Sequence, residues 1–405
     1  MSTAVEPQQG AEPRDERPGG RGLVRAFAQG ELGSIRVILM LAVIWTVFQL
    51  LNDRFLSAVN LTNLLLQIVS LGLISTGVVL VLLLGEIDLS VGAVSGLAAG
   101  VMAVLTVKHG WPPVAGIVAA LAVGLAIGTA NGLSVTAFGI PSFVVTLAGQ
   151  LAWQGALLAV LGSTGTINLP DSAITDLTFT FYSDAIGWII AVVVVGLYAV
   201  ASAVAYRRRR RAGIEAGRAD LIVLRVAAVS LAILATVFVM NRNRGVPLAV
   251  LILLGFVALF GFWTTRVRYG RHLFAIGGNI EASRRAGIRV DVARVGVFAI
   301  ASTMAAAGGV MAASRGLAVN QSSGGADVLL LAIAGPVIAG TSLFGGRGSA
   351  WSALLGALVI GSISNGMDLL ALESSVKYMI TGAVLFGAVV IDALARRQRL
   401  AAGRR

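Results

Sequence analysis

The chain of 405 residues is 57% hydrophobic and only 12% charged, about half the charged fraction of roughly 25% usual in soluble domains. That composition cannot cover a soluble body of this size, which excludes a soluble catalytic domain and, despite the net charge of +12, a nucleic-acid-binding one. With no cysteine there is no disulfide and no thiolate metal site, and His109 and His272, the two histidines, are isolated. In chain order, residues 1–34 are rich in Pro, Gly, Arg and Glu and read as a disordered cytoplasmic tail, not a secretory signal. Apolar runs long enough for a bilayer core of roughly 30 Å follow. They are expected at 37–51, 64–84, 91–107, 114–131 and 143–161, and then, after a polar stretch over 162–184, at 185–206, 221–240 and 248–263. A basic loop over 264–294 precedes the last four, at 295–313, 328–344, 351–365 and 378–394, and a tail over 396–405. The expected fold is an all-α polytopic membrane protein of about twelve transmembrane helices.

The placement of charge orients these spans. Only Lys108 and Lys377 are lysines, and the arginines cluster between apolar runs, as in loops retained on the cytoplasmic side. With both termini inside, only Arg54, Arg242, Arg244 and Arg315 of the arginines fall outside. Reading 64–107 as one kinked helix would instead place the run Arg207 to Arg211 outside. Small residues recur within spans, at Gly92 and Gly96, Gly124 and Gly128, and Gly308 and Gly309, where they let membrane helices approach closely.

Three constellations could carry chemistry. The first, Gly85 through Gly92, sets Glu86 and Asp88 between apolar runs, with Ser90 beside them. A charge at a membrane helix centre costs roughly 2.5–3.5 kcal/mol, so such residues sit at an interface, are paired, or line a wet cavity. Asp88 suits a helix N-cap, and a role in a gate or translocation path is the other reading. Glu86 is less explained by capping. The second, Gly277 through Ile288, gives a short exposed helix within the basic loop, flanked by glycines, with Gly278, Asn279, Glu281, Ala282, Ser283 and Gly287 as candidates. It could be presented to a soluble partner or lie on lipid headgroups. The third comprises polar residues inside spans: Gln67, Asn131, Thr146, Gln150, Trp153, Gln154 and Asn365, with Asp368 just beyond. Neutral amides and an indole suit an uncharged hydroxylated solute, and interhelical hydrogen bonding is the alternative. Gln150 and Gln154 share a helix face, with Trp153 adjoining. A phosphate loop of the form G-x-x-x-x-G-K-[ST] is absent, so energy for active transport would come from a partner or an ion gradient.

At these residues the chain resembles the permease subunits of bacterial sugar-importing ABC transporters of the ribose, arabinose and xylose group. The resemblance runs through Gly85 to Gly92; through Tyr269-Gly270-Arg271, Ala275 to Asn279, Glu281-Ala282-Ser283 and Gly287-Ile288; and through Gly340 to Gly348 with Asn365-Gly366. It covers approximately residues 35–395 and implies a permease domain there. It further implies a permease homodimer in the bacterial inner (plasma) membrane, in contact with lipid, and an extracytoplasmic sugar-binding protein. A separate ATPase subunit would bind ATP and Mg, so the chain itself would carry no cofactor and no catalytic or metal-binding residue. The helix at 281–287 would couple to that ATPase, while Glu86, Asp88, Ser90, Asn131, Gln150, Trp153, Gln154 and Asn365 would serve the translocation path or gate. Glu86 departs from the pattern, since many members have glycine there, and Ser283 replaces a usual alanine. Residues 185–245 add a helix pair that ribose-type permeases lack and that fits the longer xylose-type permeases, which implies a pentose such as xylose. The competing class is an ion-coupled secondary transporter of a small polar solute, with Glu86 and Asp88 as midplane carboxylates; it has no need of the loop at 277–288.

Overall fold

A computed structural model describes residues 33–213, 219–384, 386–387 and 390; the expected tails lie outside these residues, apart from the first two positions of the first helix. Its long helices are α1 (Gly33–Leu51), α2 (Ala58–Leu83), α3 (Val91–Ala103, continued by a π-helical turn to Lys108), α4 (Pro113–Phe138) and α5 (Ser142–Leu161). A short α6 (Ala173–Phe179) precedes α7 (Asp184–Arg211), α8 (Ala219–Asn241) and α9 (Leu248–Arg266). The basic loop folds as α10 (Arg268–Gly278) and α11 (Ile280–Arg285), and α12 (Val290–Gly316), α13 (Ala326–Ile338) and α14 (Ala350–Leu369) complete the set. Among the described residues nine helices are long and apolar enough to cross a membrane, and α1 and α13 contribute shorter apolar segments. The protein is therefore an all-α polytopic membrane protein.

Two expected spans change. The run expected over 328–344 is helical only from Ala326 to Ile338, about 20 Å at 1.5 Å per residue and too short for a full crossing. Pro336 offers no N–H to the Ala332 carbonyl, which accepts instead from the Ser75 hydroxyl of α2 at 3.1 Å, and Gly340 stops the helix with φ +99°. The run expected over 378–394 begins in a helix over 374–384, and much of the rest lies outside the described residues. The polar stretch at 162–184 is also more ordered than its composition implies. It holds β1 (Thr166–Asn168), α6 and β2 (Phe181–Tyr182), which pair antiparallel with β4 (Ala318–Asn320) and β3 (Val246–Pro247) respectively.

The core is built on α12, which runs antiparallel to α2 and lies along α4. Small residues set that distance: a Cβ at Gly128 would overlap the Phe298 carbonyl oxygen, and one at Gly77 would stand 2.8 Å from the Ala301 carbonyl oxygen. Gly96 and Gly309 are closed in the same way by Ser323 and Ser95 backbone. By contrast α7 and α8 pack on each other at the periphery, with 6% of each span buried against 72% of α2.

Candidate functional site at the broken helix and the basic loop

Helix α2 ends because Gly85 takes a left-handed conformation, φ +78°, in a Schellman arrangement: Glu86 N–H donates to Val81 O (3.2 Å) and Gly85 N–H to Leu82 O (2.9 Å). The chain then runs extended and re-enters the bundle, so that α3 starts inside it at Val91. Non-helical backbone at membrane depth survives only where protein satisfies its polar groups. Here α5 does so with a stripe at i, i+4 and i+8: Ser142 Oγ accepts from Ile87 N–H (3.2 Å), Thr146 Oγ1 from Leu89 N–H (2.9 Å) and Gln150 Oε1 from Ala93 N–H (3.3 Å). From the other end of the bundle a second non-helical segment, the turn residues 321–325 after β4, reaches inward to the start of α13. The two meet where Gly92 faces the Gly324 and Gly325 carbonyls.

Around this meeting point the structure gathers most of the polar candidates. Asp88 is buried, and its Oδ1 accepts from both the N–H (2.8 Å) and the hydroxyl (2.6 Å) of Ser90, while Asn131 Nδ2 donates to Ser90 Oγ at 3.0 Å. Asp88 thus closes a turn two residues ahead and does not receive the helix N–H groups further on, as a simple N-cap would. On α5, Trp153 packs against the core around α3, and Gln154 Nε2 donates to Gln321 O at 2.9 Å. Three buried polar atoms here have no partner among the described residues: Asp88 Oδ2, Trp153 Nε1 and Gln154 Oε1. Asn365 is not part of this group. It accepts from Asn60 Nδ2 at 2.8 Å, tying α14 to the first turn of α2. Asp368 pairs with Lys377 at 2.6 Å.

The basic loop takes its shape from local sequence. Asn279 caps α11, its Oδ1 accepting from Ala282 N–H at 2.8 Å, and Gly287 stops it with φ +79°. Ser283 faces inward, whereas Glu281, Ala282, Arg284, Arg285 and Ala286 are exposed. Glu281 makes no hydrogen bond or ion pair among the described residues, so the acidic first turn is exposed and unpaired there.

What the sequence does not show is that the three glycine motifs touch. Gly346 N–H donates to Leu83 O at 3.0 Å, and a Cβ at Gly277 would overlap that same carbonyl oxygen. A Cβ at Gly345 would stand 2.8 Å from Gly85 N and 2.9 Å from Gly277 O. The end of α2, the end of α10 and the loop before α14 are therefore in backbone contact, which any side chain would prevent. Two contributors are also absent from the sequence reading. Arg294, the fifth residue of α12, binds Glu86 Oε1 at 2.7 Å; its charge serves orientation when read in one dimension. Ser142 opens the α5 stripe, and its i, i+4, i+8 spacing with Thr146 and Gln150 is the signal that would have found it.

A bundle of membrane helices with non-helical backbone at membrane depth, polar side chains gathered along it and an exposed helix tied to it has the make-up of a membrane transport protein. The chain belongs to the family described as branched-chain amino acid transport system / permease component, which it matches over residues 60–389. It is 36% identical over 362 residues, 89% of this chain and 91% of the relative, to the xylose transport system permease protein XylH of Escherichia coli strain K12. It is 28% identical over 375 residues (92% and 97%) to the ribose import permease protein RbsC of the same strain. It is also 27% identical over 356 residues (88% and 90%) to that strain's D-allose transport system permease protein AlsC. No solved structure matches.

Proposed function

We propose that this chain is the permease subunit of an ATP-driven importer that carries a monosaccharide, a pentose of the xylose class, into the cell. The relatives named for xylose, ribose and allose support the substrate class, and the higher identity to the xylose permease over most of both chains supports the pentose. The chemistry agrees. Apart from Asp88 and the mutually neutralised pair Glu86–Arg294, the side chains gathered at the break, Ser90, Asn131, Gln150, Trp153 and Gln154, are uncharged, and three polar atoms there are unpartnered among the described residues. Neutral donors and acceptors give a passing sugar weak, exchangeable bonds, as transport requires. The observation that carries the coupling is the exposed α11, joined through glycine backbone contacts to the broken helix.

In this reading an ATPase subunit docks on α11 and supplies the ATP and Mg that the permease does not bind. An extracytoplasmic protein delivers the sugar, and two permease copies enclose the path. The permease domain covers 35–395, with its coupling loop over 264–294 and an added helix pair over 185–245. The chain passes the membrane twelve times, the passage at α13 being completed by the non-helical residues on either side of that short helix, and both termini are inside. Radiolabelled D-xylose uptake, in cells expressing the permease with its ATPase and binding-protein partners, is expected to follow the ATP level and to survive a protonophore. Uptake that collapses with the protonophore while ATP is maintained would identify an ion-coupled transporter instead.

Topology has its own test, which the absence of cysteine makes clean. In intact cells an impermeant thiol reagent is expected to label Ser172→Cys, at the start of α6, and to spare Ala212→Cys after α7. The reverse pattern would invert the orientation.

A further inference from the structure

The basic loop stands on the break with two feet. One is α10, whose last residues meet the end of α2 through Gly277 and Leu83, with Gly346 bonded to the same Leu83 carbonyl. The other is the start of α12, where a guanidinium nitrogen of Arg294, its fifth residue, lies 2.7 Å from Glu86 Oε1. Between the feet the chain forms α11, the exposed helix. Both feet therefore rest on residues 83–86, and the extended segment leading to Asp88, Ser90 and α3 begins at that point.

The two feet differ in kind. The Gly277 contact is backbone on backbone and transmits a push by close packing. The Arg294–Glu86 pair resists separation and so transmits a pull. Its side chains are only 18% and 12% exposed, and Arg294 Nε is buried with no hydrogen-bond partner among the described residues, so Glu86, on the terminal nitrogen, is the anion found against this guanidinium. A pair this shielded is little screened by salt, and removing one member strands the other.

We propose that Arg294 and Glu86 are positioning residues that make the stroke of α11 reversible at the broken helix: they draw residues 83–90 along when the basic loop moves away. The inference rests on the reading that α11 receives an ATPase, and it assigns the residues through which that contact acts on the path. Neither residue touches the sugar. With the pair broken, the loop moves while residues 83–90 lag, and ATP is hydrolysed without transport.

The test uses the complete transporter in proteoliposomes and reads D-xylose delivered per ATP hydrolysed for wild type, Glu86→Gln, Arg294→Gln and the exchanged pair Glu86→Arg/Arg294→Glu. Each single variant is expected to assemble and hydrolyse ATP near the wild-type level while sugar per ATP falls about tenfold, within the ordinary range of coupling between sites. The exchanged pair is expected to recover most of the ratio. An unchanged ratio in the single variants overturns the proposal, as does a proportional fall of both activities with lost assembly, which marks a purely structural pair. Failure of the exchange to recover the ratio overturns it as well. Hydrogen exchange on the permease alone keeps this separate from the functional reading. Arg294→Gln is expected to speed exchange over 83–90 and over 290–294 together, and the exchanged pair to slow both. Faster exchange at 290–294 with 83–90 unaltered overturns the linkage even if wild type moves no xylose, whereas a wild type that moves none refutes the substrate reading alone.

Discussion

Asp88→Leu is expected to abolish transport and to lower the amount of folded permease, while Asp88→Asn keeps the fold and loses only part of the transport. Both Ser90 donors converge on Asp88 Oδ1, so an asparagine oxygen in the same place can accept both bonds, and its amide nitrogen takes the position of the unpartnered Oδ2. Leucine strands two buried donors, and with Ser90 loosened, the Asn131 bond that ties α4 to the break is disturbed as well. Leaving a buried donor unpaired costs roughly 1–3 kcal/mol, so two of them cost about 2–6 kcal/mol, a large share of a stability of about 5–15 kcal/mol. Initial rates of D-xylose uptake, normalised to folded permease in the membrane, separate the two effects. If asparagine proves as inactive as leucine at equal protein levels, the negative charge is itself required for transport and the hydrogen-bonding account of Asp88 is wrong.

The second large effect is expected on the exposed helix. Glu281→Lys places a cation in the first turn of α11, where the helix dipole favours an anion at a cost of about 0.3–1 kcal/mol if reversed. That is too little to unfold a helix held by the Asn279 cap and the Gly287 stop. Membrane insertion and thermal stability should therefore be close to wild type. Uptake should fall by an order of magnitude or more, because Glu281 has no partner among the described residues and reversal of its charge acts on whatever docks there. The check is xylose uptake beside co-purification of the ATPase subunit. Full uptake by Glu281→Lys would remove α11 from the coupling surface and return it to a loop helix lying on lipid headgroups.

How far each element could be read depended on the range of the physics that makes it. Helix α11 was legible because its signals are adjacent in sequence: an Asn cap, helix formers and a glycine stop. The peripheral pair α7 and α8 was equally clear, since each is apolar on every side and ends against charge. Helix α13 misled because composition does not register a helix end: the apolar run continues past Ile338, while Pro336 and the left-handed Gly340 end it. On α5, the sequence showed that Thr146, Gln150, Trp153 and Gln154 share a polar region. It could not show that Thr146 and Gln150 are occupied by backbone N–H groups of the break and of α3, while one polar atom on each of Trp153 and Gln154 is left unpartnered.

The sequence by itself determined that this is a polytopic membrane protein, where most of its helices lie, and the class of transporter it resembles. Bilayer thickness and the scarcity of charge act on unbroken runs of about 20 residues, and glycine motifs on a few neighbouring positions, so both are written there directly. Tertiary structure alone decided what those motifs are for. Gly85, Gly277 and Gly345 are each a reason for a local turn until the fold brings them together, and only then does the missing side chain become the condition for three backbones to meet. Arg294 and Glu86 lie more than two hundred positions apart, and each alone is a costly charge near the membrane. The antiparallel packing of α12 on α2 sets them 2.7 Å apart, and no periodicity or composition along the chain encodes that distance.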